Sequence, residues 1–401
     1  MEHIFWLLNR SAGNQIVLAA EIEGETTLRA WRQALDALQR RHPLLSTAIT
    51  LSSNGLPYFE VPSVQEIPLR FAADAMWVER AIATEWLDSQ MADELAEPFD
   101  TESAPLIRAV LAHCEQRSVV LLVGNHAICD GLSLSLCFRD LLRSLNGEHL
   151  EPLPIPKSLD QLCGISTETS QPVPPGEGIQ YPRDTPRVHR VKLSADLTER
   201  IILRARAEHT TMHGALCSAM VHAGWNASAE WREKSLRIFS PVDVRSVFGI
   251  GDDQCGLFLA SSSVVIERNA SESFWAVARQ ATQGLNVPGA RGAICAQTQG
   301  QRKLLNSGLD AVGAVKIRQN ALARDIMLTN MGRLRFQTEI GRFKLTSMWG
   351  PLALSGYPGD HTVGVATVEG SAHLTLASRS PLPSMLELAE VILIAASKDA
   401  G

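Results

Sequence analysis

The sequence predicts an α/β protein made of two sheet-and-helix halves, and three observations predict it. Short β-rich apolar runs alternate with amphipathic stretches of helical period along the chain. The alternation stops between Pro152 and Pro186, where eight prolines sit among Ser, Thr and Gly, and then resumes. The chain has 401 residues, 45% hydrophobic and 20% charged, and at ~100–200 residues per domain it is long enough for more than one core. The division that follows is an N-terminal domain over 1–151, a linker over 152–187 and a C-terminal domain over 188–401.

In the first half, Asn14 to Gly24 reads as a strand. Thr26 then offers an N-cap to a helix over Leu28–Arg41, with Leu28, Trp31, Leu35 and Leu38 on one face. Pro43 stops that helix. Strand-like runs follow at Leu45–Leu51 and Leu69–Ala72, and a second helix is predicted over Trp77–Leu95. Leu106–His113 and Val119–Gly124 read as neighbouring strands joined by the polar turn Glu115–Ser118; the second is apolar throughout, as a strand covered on both faces requires. From Leu132 to Leu145 the apolar spacing is helical, and Asn146-Gly147 supplies the stop.

After the linker, a strand at Val188–Leu193 leads into a helix from Ala195 and another over Met212–Ala227. Strands are predicted at Leu236–Ser240 and Leu257–Glu267, and a helix at Glu272–Leu285. Further strands fall near Ile326–Thr329, Phe343–Met348, Thr362–Glu369 and His373–Ala377, with a closing helix over Pro383–Ser397.

Charge and motif content exclude several function classes. The 37 basic and 43 acidic side chains give a net charge of −6 with no basic stripe, which argues against a nucleic-acid partner. Seven cysteines without CxxC spacing read as reduced thiols of a cytoplasmic protein, and no zinc site is suggested. The apolar stretch from Ile4 is broken by Asn9, Arg10 and Asn14, so neither an export signal nor a membrane span is expected. His209 and His213 stand at i, i+4 but lack the Glu of HExxH, and the glycines of Gly249–Gly256 do not match GxGxxG. Neither GxxxxGK[ST] nor GxSxG occurs.

The segment that carries chemistry is Val119 to Gly131. A buried strand delivers His126 to a sheet end, where functional residues of α/β proteins gather, and Asp130-Gly131 follow four residues on, just before a helix. Gly131 is expected to give the strand-to-helix turn its backbone freedom, and Asp130, if buried, requires a cationic partner.

This His-x-x-x-Asp-Gly pattern resembles the signature of the chloramphenicol acetyltransferase-like superfamily, which includes condensation domains, BAHD acyltransferases and polyketide-associated acyltransferases. Other segments resemble it in family order: Arg41-His42-Pro43-Leu44-Leu45, Pro98-Phe99-Asp100, Ala104-Pro105-Leu106-Ile107-Arg108, Pro241-Val242-Asp243-Val244-Arg245 and Thr329-Asn330-Met331-Gly332. Two features depart from it. Asn125 stands where condensation domains carry the first His of a doublet, and only Trp349-Gly350-Pro351 remains of the plant BAHD box.

The resemblance implies two chloramphenicol acetyltransferase-like domains forming a V with a central tunnel, and His126 as the general base at its midpoint. An imidazole of ordinary pKa near ~6.5 suits that role. It also implies that Asp130 and Gly131 shape the site, that Arg245 pairs with Asp130, and that Asn330 donates to the oxyanion. No permanently bound cofactor or metal is implied. The expected co-substrate is an acyl-CoA or a phosphopantetheinyl carrier-protein thioester supplied in trans. The expected reaction is transfer to the hydroxyl of a small molecule, in a monomeric acyltransferase of secondary metabolism or lipid biosynthesis. The alternatives are amide formation on an amine acceptor, as in a stand-alone condensation enzyme, and a catalytically silent docking homologue.

Overall fold

The apolar run before His126 is a strand because both of its faces are covered. Val120 and Leu122 belong to a core shared with helices Leu28–Arg41 and Gly131–Leu145. Val119, Leu121 and Val123 pack on the opposite side, under helix Ala83–Ala96. The structure is a computed structural model that describes residues 1–63, 65–71, 83–166, 172, 184–268, 273–285, 291–320, 323–354 and 359–398. The predicted start of the second helix at Trp77, Ala72, Glu272 and residues 167–171 and 173–183 of the predicted linker lie outside these residues.

In chain order the strands are β1 (Gln15–Glu23), β2 (Ala48–Leu51), β3 (Pro57–Glu60), β4 (Leu69–Phe71), β5 (Ile107–Cys114), β6 (Arg117–Asn125) and β7 (Arg187–Lys192). They continue with β8 (Leu236–Asp243), β9 (Leu259–Ile266), β10 (Ile326–Arg333), β11 (Glu339–Ile340), β12 (Phe343–Leu352), β13 (His361–Val368) and β14 (Ser371–Ser378). Among the described residues they form two six-stranded sheets, ordered β11-β12-β1-β6-β5-β4 and β7-β14-β13-β10-β8-β9, with β2 and β3 as a separate hairpin. β1 runs antiparallel to β6 with Gln15 opposite Asn125 and Glu23 opposite Arg117. Helix Met212–Ala227, with eleven buried residues, is the centre of the second core.

The structure corrects three expectations. The strands beyond the linker do not all join one sheet: six form the second sheet, whereas β11 and β12 belong to the first, β12 pairing with β1, Ala19 opposite Trp349. β12 is buried along most of its length, and it covers a β1 edge whose N–H and C=O groups would otherwise be left unpaired. Near that junction a Cβ on Gly364 would overlap the carbonyl oxygen of Pro351, so glycine there lets the second sheet approach the crossing strand. The second correction concerns the cysteines. Cys163 and Cys295 form a disulfide between residues 132 apart in sequence, with Cα atoms 5.3 Å apart, and this pins the linker to helix Arg291–Asn306. The other five are free thiols. Third, Pro43–Ser46 is a 3-10 turn, so the predicted Leu45–Leu51 strand begins only at Ala48. Among the described residues no helix is long and apolar enough to cross a membrane.

Candidate active site

His126 follows the last residue of β6, and its backbone is fixed before its ring is. The His126 N–H donates to the Asn14 carbonyl at 2.7 Å. Asn125, fully buried, donates through Nδ2 to Asn9 Oδ1 at 3.0 Å and accepts at Oδ1 from the Ala127 N–H at 3.0 Å. Its amide therefore clasps the end of helix Glu2–Ala12 to the histidine loop. Phe5 of that helix stacks on the imidazole, with ring centroids 4.6 Å apart and planes 19° from parallel.

The ring's tautomer follows from its hydrogen bond to Cys129. His126 Nδ1 lies 2.9 Å from the Cys129 carbonyl oxygen. A carbonyl only accepts, so Nδ1 carries the hydrogen and Nε2 is left with the lone pair of a base. His126 lines a cavity of about 440 Å³ to which both halves of the chain contribute. Burial lowers its affinity for a proton below that of an ordinary imidazole; the Cys129 carbonyl and Asp130 oppose this, and Arg318 adds to it. The ring is neutral at pH 7.

Asp130 is turned to structural work. It is the N-cap of helix Gly131–Leu145, where Oδ1 accepts from the Ser133 N–H at 2.8 Å. Arg245 forks onto it, Nη1 to Oδ2 and Nη2 to Oδ1, each at 3.0 Å. The Phe258 N–H donates to Oδ2 at 2.9 Å. Arg245 is 1% exposed, and it also reaches Asp243 at 2.9 Å and the Ser133 hydroxyl at 2.8 Å. Burial alone would raise the Asp130 pKa, but Arg245 and the two backbone donors hold it below the ordinary carboxylate value.

Gly131 answers to space and not to backbone freedom, which corrects the expectation. Its φ is not among the positive ones, whereas a Cβ there would stand 2.5 Å from Pro351 Cγ on the crossing strand. Asn330, on β10, lines the cavity with its Oδ1 accepting from the Gly332 N–H at 2.8 Å, so the amide's N–H groups are not spent on that bond. His213 is hydrogen-bonded to the Ser240 hydroxyl at 2.9 Å, and among the described residues no group of three His, Cys, Asp or Glu is placed to hold a metal ion. The Arg41-His42 segment binds buried Asp140 of helix Gly131–Leu145, Arg41 Nε at 2.7 Å and His42 Nε2 at 2.9 Å, so it braces the site's helix from outside the cavity.

Sequence reasoning missed Phe5 and Arg318, both cavity-lining, because the helices that carry them were not predicted. The apolar Ile4–Leu8 run was the available signal for the first; Ala311–Asn320 offers almost none.

Comparison with known proteins gives two family models that match consecutive parts of the chain. Residues 8–160 match the condensation domain. Residues 182–338 match the model described as the phthiocerol/phthiodiolone dimycocerosyl transferase C-terminus. Phosphinothricin tripeptide synthetase PhsC of Streptomyces viridochromogenes is 27% identical over 322 residues, which is 70% of this chain and 28% of the synthetase. The chain thus spans less than a third of that protein's length. Among solved structures, polyketide synthase associated protein 5 from Mycobacterium tuberculosis aligns with a TM-score of 0.68 at 16% identity, over 100% of this chain and 97% of the other. The TRI3 trichothecene 15-O-acetyltransferase of Fusarium sporotrichioides aligns with a TM-score of 0.64 at 13% identity, over 99% and 94%. At these identities the structural likeness speaks to the fold.

Proposed function

The chain belongs to the chloramphenicol acetyltransferase-like superfamily, and from that premise we propose that it is an O-acyltransferase in which His126 Nε2 is the general base. The family's members are acyl and condensation transferases. The observation that carries the reading is the 2.9 Å contact between His126 Nδ1 and the Cys129 carbonyl, in a ring that lines the cavity.

In this reading an acceptor hydroxyl lies against Nε2 while an acyl thioester lies beside it. Nε2 takes the hydroxyl proton as the oxygen bonds to the thioester carbonyl carbon. The tetrahedral oxyanion then collapses, the carbon–sulfur bond breaks, and the proton passes from the imidazolium to the departing sulfur. No acyl group is attached to the enzyme. Base assistance of this kind is worth about 10²–10⁴-fold, and holding both reactants in one cavity supplies the orientation. Asn330 is the proposed oxyanion donor, a role whose loss typically costs about 10²–10³-fold in turnover. The donor is a thioester of CoA or of a carrier protein. The proposed active unit is a monomer.

Ester formation is favoured over amide formation because Asn125 serves as a structural clasp where condensation domains place the first histidine of their doublet. The test follows thiol release from acyl-CoA and carrier-bound thioesters with paired alcohol and amine acceptors, and identifies products by mass spectrometry. His126→Ala should keep the wild-type circular dichroism and lose at least about 10²-fold in turnover. Wild-type turnover in the folded variant refutes the base, and amide as the preferred product refutes the ester.

A further inference from the structure

Helix Arg291–Asn306 forms one side of the His126 cavity. Gln297, Gly300, Gln301 and Leu304, spaced i, i+3, i+4 and i+7, make one face of it, and all four line the cavity. Gly300 and Leu304 are also exposed to solvent, so the cavity opens beside this helix. Little burial holds the helix there. Its buried side chains are Ile294, Thr298 and Leu305, and the face it turns to the cavity meets a hollow where a packed helix would meet a core. On that face the Gln297 amide is anchored, bonded to the N–H and to the carbonyl of Ser261 at 3.1 Å each.

A strap on the far face fastens the helix. Arg291, Cys295 and Arg302, spaced i, i+4 and i+11, all reach the segment around the short helix Leu159–Leu162. Arg291 Nη2 donates to the Leu162 carbonyl at 2.7 Å, Arg302 Nε donates to Asp160 Oδ1 at 3.1 Å, and Cys295 is bonded to Cys163. The disulfide is the covalent member of the three, and it opposes local opening by restricting the opened chain. It is also within reach of a reagent. Cys163 and Cys295 are both partly exposed, and they line a second cavity, of about 530 Å³, together with the exposed residues Gly164, Gln299 and Lys303. Accessible disulfides are the ones that exchange with thiols, and a lysine nearby favours the thiolate that departs.

We propose that Cys163–Cys295 is a redox-modification site, opened by a dithiol reductant, and that its opening loosens the helix at the mouth of the His126 cavity. A thiolate of the reductant attacks one sulfur and expels the other as a thiolate, which takes a proton. The reductant's second thiol then displaces the bound cysteine. Two electrons and two protons pass to the protein, which holds two thiols, and the reductant leaves as its own disulfide. The Asp130–Arg245 pair that fixes the histidine loop has no member on this helix, so the consequence falls on substrate binding and not on the proposed base. The proposal rests on the acyltransferase reading for that kinetic consequence alone.

The test compares the whole protein, oxidised or treated with dithiothreitol under native conditions, with Cys163→Ser and Cys295→Ser. Alkylation and peptide mass spectrometry should find Cys163 and Cys295 modified after treatment and protected before it. Hydrogen exchange at the amides of residues 294–306 should quicken at least about 10-fold on reduction. Both serine variants should match the reduced wild type, and dithiothreitol should change them no further. With the reductant removed, because thiols cleave thioesters, KM for whichever acyl thioester is used should rise about 3–10-fold in the reduced protein at unchanged kcat, the weight of roughly one wall contact. Should the variants fail to fold, the wild type reduced in place carries the comparison. A bond that resists dithiothreitol in the folded protein overturns the proposal, as does a reduced protein whose exchange or KM equals that of the oxidised one. If no thioester is turned over in either state while exchange over 294–306 quickens only when the bond opens, the acyltransfer reading fails and the redox site stands.

Discussion

Removing the Asp130 carboxylate should loosen the joint between the two halves by an amount that the contacts define. Both oxygens are saturated, by Arg245 Nη1 and Nη2 at 3.0 Å each, Ser133 N at 2.8 Å and Phe258 N at 2.9 Å. Asp130→Asn keeps the shape but turns an NH2 toward donors and leaves the 1%-exposed guanidinium short of its counter-charge. Breaking one side of a buried pair costs about 3–5 kcal/mol, enough to lower Tm by roughly 10 °C at about 2–4 °C per kcal/mol. Chemical denaturation followed by tryptophan fluorescence reads the loss directly. A double variant, Asp130→Asn with Arg245→Met, should recover part of it, because the buried guanidinium left with Asp243 alone of its two carboxylates is gone; coupling of about 0.5–3 kcal/mol is usual for residues in contact. The pH dependence has a fixed sign. The folded pKa of Asp130 lies below its unfolded value, so the stability it lends is present above the unfolded carboxylate pKa and lost as pH falls through the folded one. The wild type should lose stability in acid more steeply than the variant. If Asp130→Asn unfolds within about 1 kcal/mol of wild type, the pair does not fasten the halves.

Three further outcomes follow from the same contacts. Because burial lowers the His126 pKa, the acidic limb of the kcat/KM–pH profile should have its midpoint below 6.5; Phe5→Ala, by admitting water to the stacked face, should move that midpoint up, and an unmoved limb would deny Phe5 its role. Gly131→Ala sets a Cβ 2.5 Å from Pro351 Cγ, and overpacking of this kind costs about 1–3 kcal/mol. Thermal unfolding should show the loss, and Pro351→Ala in the same chain should relieve it. Asp140 is fully buried and accepts from Arg41, His42, Arg139 and Arg143 at 2.7 to 3.1 Å, so Asp140→Asn should destabilise by about 3–5 kcal/mol; a thermal melt that matches the wild type would show the cluster to be replaceable.

The strands were legible in the sequence wherever a buried face writes a run of apolar residues, as in β6, or a bounded one, as in β1. The candidate base was legible for the same reason, since the strand that ends at Asn125 hands on His126. The helices around the cavity were not. Glu2–Ala12, Arg291–Asn306 and Ala311–Asn320 present one face to a hollow, so their apolar residues need not form the regular stripe that marks a packed helix. Helix Arg291–Asn306 also carries two glycines and three glutamines, which blur any period. The crossing of β12 and the Cys163–Cys295 bond are long-range pairings, and residues 132 or more apart leave no local trace of their partner. At Gly131 the residue was read and its reason was not: the constraint is Pro351, 220 positions away in the sequence.

Placement of the proposed base depends on both halves, although only one supplies the imidazole. The hydrogen on His126 Nδ1 is held by the Cys129 carbonyl, and the next residue is Asp130, whose carboxylate is fixed by Arg245 and the Phe258 N–H from beyond the linker. The Asp130 N–H is fixed in turn by the Gly256 carbonyl. The carbonyl that sets the tautomer is thus oriented by the second half. Phe5 and Asn14 of the first half set the plane of the ring and the backbone beneath it. If the second half were to draw back, Nδ1 would lose its acceptor before any cavity residue had moved, and the lone pair could appear on either nitrogen. Docking of the halves therefore decides which nitrogen can serve as the proposed base, and a change that leaves His126 untouched but loosens the Arg245 contact should lower kcat before it alters substrate binding.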